Sequence, residues 1–113
     1  ADLSEPAGSV LFYRDLGQGR AQHLVVLEAH KFDRSPCGTG TSARLAALHA
    51  AGALEVGETF IAEGILGTRY VCRIEEAADG AIVPRIAGEA FLSAFSTLVV
   101  EDADPLAAGF LCR

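Results

Sequence analysis

Residues 9–14 (Ser-Val-Leu-Phe-Tyr-Arg) are rich in β-branched and aromatic side chains and predict a strand. Residues 15–19 carry two glycines in a polar setting and predict a turn. Residues 22–29 place Leu24, Val25, Val26 and Leu27 at the centre of a second strand, so the two form a hairpin. From Ser42 the pattern changes. Ala43, Leu45, Ala46, Ala47, Leu48, Ala50 and Ala51 are strong helix formers. Thr39 or Thr41 suits the N-cap, and Gly52 suits the stop. Arg44 and His49 interrupt an otherwise small or apolar circumference, which predicts a helix buried between other elements. Residues 58–62 and 65–75 then read as strands parted by Gly64 and Gly67. Asp79-Gly80 is a hairpin turn signal, and residues 81–86 and 90–101 give further strand, closed by Asp102-Ala103-Asp104-Pro105. About six strands and one central helix make an α+β domain spanning 1–113, without internal repeat or linker.

Composition narrows the function classes. The formal net charge of −6 opposes nucleic-acid binding, which needs clustered Lys and Arg. No apolar run approaches the roughly 20 residues of a membrane span. Residues 1–6 lack a basic region followed by an apolar run, so no signal peptide is expected. Cys37, Cys72 and Cys112 form no C-x-x-C pair, and their odd number does not suit a disulfide framework, which favours a reducing, cytoplasmic setting. Cys72, in an alternating strand, reads as a packed core thiol, and Cys112 as incidental.

The chemistry concentrates in Asp33-Arg34-Ser35-Pro36-Cys37-Gly38-Thr39-Gly40-Thr41. Pro36 keeps the chain out of a helix just before Cys37. Gly38 and Gly40 permit backbone shapes closed to other residues. The amides of residues 38–41 then lie where a helix start leaves four donors unpaired, which suits a substrate carboxylate. The same field favours the thiolate of Cys37. Asp33 has two readings on spacing alone: an Asx-type bond to the loop backbone, or a partner for a cationic substrate amine. Sharper motifs fail. Thr41 and Ser42 stand where a Walker loop needs Lys, the third Gly of a dinucleotide fingerprint is missing, and Ala43 occupies the position of a phosphatase arginine. The spacing of His23, His30 and Cys37 is not a zinc pattern, so no metal is expected. His30 reads as a solvated loop residue and His49 as a satisfied structural histidine.

Residues 33–43 closely resemble the second cysteine motif of the proline racemase family, which includes proline racemases, 4-hydroxyproline 2-epimerases and 3-hydroxyproline dehydratases. Gly57-Glu58-Thr59-Phe60, Glu63-Gly64-Ile65-Leu66-Gly67-Thr68 (where Ser is more usual than Gly64), Ile82-Val83-Pro84, residues 86–90, Asp104-Pro105 and Gly109-Phe110 extend the resemblance over 9–110. It implies a diaminopimelate-epimerase-like half, with a mixed or antiparallel sheet wrapped around one central helix and the site in a cleft between two such halves. It also implies a cofactor-independent, two-cysteine exchange of the Cα proton of an imino acid. Cys37 matches one cysteine, Asp33 would contact the amine, and the backbone of Gly38 and Thr39 would hold the carboxylate. The family's first motif, of the type Met-Cys-Gly-His, is absent. The chain therefore resembles the C-terminal half, its missing N-terminal half would carry the opposing residue, and the chain alone is expected to be inactive. Cys37 favours racemase or epimerase over dehydratase, and bulky Phe32 favours 4-hydroxyproline 2-epimerase. The alternatives are a non-catalytic truncated remnant or self-associating half-domain, such as a homodimer, and a hydroxyproline dehydratase of the same family.

Overall fold

The computed structural model describes residues 8–27 and 31–109. Within them lie β1 (Ser9–Gly17), β2 (Arg20–Leu27), β3 (Lys31–Phe32), α1 (Gly38–Ala50), β4 (Phe60–Gly64), β5 (Arg69–Ala78) and β6 (Ala81–Ala87). His30, Cys112, residues 1–6 and the end of the 22–29 strand lie outside the described residues.

The sheet runs β1-β2-β4-β5-β6, with the short β3 pairing the far end of β2. β2 and β4 are parallel and the other pairs antiparallel, so the sheet is mixed and the class is α+β. Two hairpins close on left-handed residue pairs: Gln18 and Gly19 at φ 53° and 68°, Asp79 and Gly80 at 52° and 76°. Paired positive φ matches the right-handed strand twist, which is why Asp-Gly and Gln-Gly serve there. β6 is a sheet margin with Pro84 at its middle, opposite Ile74.

Alternation decides what each strand buries. Ala21, His23 and Val25 on β2, Phe60 and Ala62 on β4, and Cys72 and Ile74 on β5 face one side, where Leu45 of α1 seals the core together with Leu54. Cys72 is the packed core thiol expected, and burial pushes its pKa up to about 11. The helix departs from expectation. Only Thr41 and Leu45 are buried along it, while Ala43, Ala47 and Ala50 face outward. Alanine is small enough to sit on either side of an interface, so an alanine-rich circumference does not by itself bury a helix.

The expected strand at 90–101 does not form. Residues 88–109 have no regular structure and are exposed throughout. A strand needs a neighbouring edge for its N–H and C=O groups, and this segment pairs with none among the described residues. It accounts for a radius of gyration of 18.8 Å, where about 13 Å suits a compact chain of this length.

Candidate active site

α1 begins one residue after Cys37, which is itself the N-cap, displacing Thr39 and Thr41 from that role. Cys37 adopts φ 66° and ψ 120°, a left-handed backbone unusual for a residue with a side chain. The sequence reading assigned that freedom to Gly38 and Gly40, yet both are ordinary helix residues with negative φ. Gly40 is needed for space. A Cβ there would lie 3.1 Å from Val25 Cγ2 and 3.5 Å from the Cys37 sulfur.

The cap uses the thiol. The Gly40 amide donates to Cys37 Sγ at 3.4 Å, and the Thr41 amide donates to the Cys37 carbonyl at 3.0 Å. The Cys37 amide donates to Ser35 Oγ at 3.2 Å. The amides of Gly38 and Thr39 stand at the exposed helix mouth, where the first turn leaves donors without intrahelical acceptors. Asp33, Cys37, Thr39 and Gly40 line one cleft of about 520 Å³, walled by Ser9, Leu11, Val25, Leu27 and Ala43. The Asp33 amide donates to the Val25 carbonyl, which ties the start of the loop to β2. A larger hollow, about 620 Å³, lies between Tyr70, Gly88 and Phe91 and, among the described residues, is lined by no cysteine.

The electrostatics correct the sequence expectation of a resting thiolate. Burial is the strongest influence on Cys37 and raises its pKa, and the nearby Asp33 carboxylate raises it further. The Gly40 and Thr39 amides lower it, but by less. The thiol form is therefore favoured at neutral pH.

Two residues outside the motif support the loop. His23 is 1% exposed and pairs in register with Gly64 across the parallel β2–β4 ladder. A Cβ on Gly64 would meet Thr68 Oγ1 at 2.9 Å, the Pro36 nitrogen at 3.3 Å and the Arg34 carbonyl at 3.4 Å, so the loop rests directly on this glycine. His23 touches Thr41, as set out below. Its alternating position between Ala21 and Val25 was the signal that its side chain faces inward. His49 is the satisfied structural histidine expected: its Nδ1–H donates to the Leu54 carbonyl at 2.8 Å. Phe32 pairs with Val26 on β3 and is not among the residues that line the Cys37 cleft.

Comparison with known proteins identifies the family. Residues 9–111 match the family described as proline racemase. The chain is 47% identical over 96 residues to a proline racemase of Clostridioides difficile, covering 81% of this chain and 29% of that protein. It is 44% identical over 100 residues to a probable 4-hydroxyproline 2-epimerase of Rhizobium meliloti, covering 85% and 30%. Among solved structures, a hydroxyproline epimerase from Agrobacterium vitis with bound trans-4-hydroxy-L-proline superposes with a TM-score of 0.74 at 31% identity, covering 93% of this chain and 31% of that one. The chain spans less than a third of the length of the curated relatives it matches.

Proposed function

The chain belongs to the proline racemase family, and on that premise we propose that it supplies one face of a cofactor-independent racemase or epimerase acting at Cα of proline or 4-hydroxyproline. Cys37 is the acid/base group of this face. The amides of Gly38 and Thr39 hold the substrate carboxylate, and Asp33 receives the cationic ring amine. The observation that carries the reading is the convergence of Cys37, Thr39 and Asp33 in one cleft at the helix mouth, where Gly38 opens α1.

In the forward stroke a base on the opposite face removes the Cα proton, and the Cys37 S–H donates one from this side. In the reverse stroke the Cys37 thiolate takes the proton back. Each cycle moves one proton on and one off, so no electrons are exchanged. Charge that develops on the substrate carboxylate is met by amides already in place. Asp33 links binding to this chemistry. In the empty cleft its charge favours the neutral thiol. A cationic amine seated on the carboxylate cancels that effect and eases ionisation of Cys37 beside the substrate. The wrapped, two-half arrangement and an opposing cysteine on the missing N-terminal half complete this reading.

The test is isotope exchange in the longer protein of which this chain would be the C-terminal part. With L-proline or trans-4-hydroxy-L-proline in deuterated water, Cys37→Ser is expected to slow inversion by about 10²–10⁴-fold, the usual contribution of a positioned acid/base. The isolated 113-residue chain is expected to give no inversion. Undiminished inversion by Cys37→Ser, or inversion by the chain alone, contradicts the proposal.

A second reading, self-association of the chain, is favoured by the bare apolar segment, in which Phe91 is 84% and Phe95 93% exposed. Sedimentation across a concentration series distinguishes it: a strictly monomeric chain refutes it.

A further inference from the structure

Cys37 holds a backbone conformation that is strained for a residue with a side chain, and such a conformation persists only where its surroundings fix it. Part of what fixes it is buried. Thr41 Oγ1 donates its only hydrogen to the Pro36 carbonyl at 3.1 Å. His23 Nδ1 lies 3.2 Å from the same oxygen. With that hydrogen committed, Oγ1 acts as acceptor, so Nδ1 carries the proton and Nε2 does not. Among the described residues Nε2 is buried without a partner, and protonating it would place a charge there with none of them to receive its hydrogen. Burial is the strongest influence on His23 and lowers its pKa; the Pro36 carbonyl raises it by less, and the charge of Arg44 adds a smaller lowering. His23 is thus a neutral Nδ1–H donor, and Arg44 is the charged group that bears on it.

We propose that His23 is a positioning residue: through Thr41 it anchors the Pro36 carbonyl, and so holds Cys37 in the left-handed turn that aims its sulfur at the Gly40 amide. Three observations meet here. The carbonyl that Thr41 grips belongs to the residue just before Cys37. The Thr41 amide binds the Cys37 carbonyl, so one residue clamps both sides of the turn. His23 stands beside Gly64, whose missing side chain lets the loop descend onto the sheet. The inference deepens the reading of Cys37 as the reacting thiol and rests on it for its functional meaning.

The test is the Gly40 amide resonance of the 113-residue chain, followed by ¹H–¹⁵N NMR as Cys37 ionises. Asp33 and the Thr39 amide also face the sulfur, so Cys37→Ser serves as the control that removes the titration. In the parent chain the Gly40 amide is expected to move with the thiol. His23→Leu keeps the volume but removes the donor, and Thr41→Val removes the hydroxyl; each is expected to abolish the Gly40 shift. His23→Asn, whose amide nitrogen occupies the place of Nδ1, and Thr41→Ser are expected to restore it. Retention of the shift at an unchanged midpoint in His23→Leu or Thr41→Val overturns the proposal. So does failure of both conservative variants to restore it. Should His23→Leu not fold, by circular dichroism, Thr41→Val carries the test through a single hydroxyl-to-methyl change. No substrate enters the measurement, so its outcome is separable from the fate of the catalytic reading.

Discussion

α1 and residues 90–100 are both rich in apolar side chains and have opposite fates. Along α1, Leu45 is fully buried and its neighbours close over a sheet whose inward positions alternate as its sequence does. In the later segment, Phe91, Phe95, Leu98, Val99 and Val100 all face solvent. The helix makes its own backbone hydrogen bonds, whereas a strand finds its backbone partners only on neighbouring strands. Apolar pattern is enough to place a helix on a surface, but a strand also needs an available edge.

Leu45→Ala should show the difference at its largest. Emptying the centre of the core is expected to cost about 2–5 kcal/mol, read from the denaturant midpoint at constant slope; a loss under 1 kcal/mol would mean the core has been misplaced. Gly64→Val comes next. Its branched side chain would drive into Thr68, Pro36 and Arg34, and overpacking of this kind costs about 1–3 kcal/mol. Cys37 labelling should change with it, because the loop loses its seat. An unaltered melt and labelling rate would contradict the close approach described.

Asp33→Asn acts on the thiol alone. Asp33 raises the pKa of Cys37, so removing its charge is expected to move the alkylation midpoint to lower pH, as followed by peptide-resolved labelling. A midpoint that rises or stays put contradicts the assignment. In the same series Cys72 should resist labelling until the pH nears 11. Its pKa is raised on folding, so the stability it contributes is complete below the unfolded thiol value of about 8.5 and is lost as pH climbs from there toward 11. Phe95→Ser should have the smallest effect, within about 0.5 kcal/mol on the chain's own stability, since that ring has little to lose. A larger loss would show that the segment is packed after all.

The residues that could be read in advance were those whose behaviour is local. The Asp79-Gly80 turn, the Gly52 stop and the inward run of β4 and β5 follow from backbone preference and alternation. The Asp33–Thr41 loop was legible as a helix mouth carrying a thiol. Its details were not, because they depend on neighbours distant in sequence. The left-handed turn falls on Cys37 rather than on a glycine because Thr41 and Gly64 hold the loop from either side. The thiol form is favoured because burial, with Asp33 beside it, outweighs the two amides. His23, viewed by spacing, suggested only a poor metal pattern; the sheet register turned it toward Thr41.

Pro84 has a consequence for how copies of this protein coexist. An open sheet margin is a template on which foreign chains can add, hydrogen bond by hydrogen bond. Pro84 stands at the middle of β6 with no hydrogen to give, and a proline in a sheet margin is tolerated where its nitrogen turns away from the paired neighbour. An incoming strand would meet a gap at its midpoint and could not zip along the full length. One imide ring thus protects the sheet from fibrous growth at the end that its own hairpin leaves uncovered.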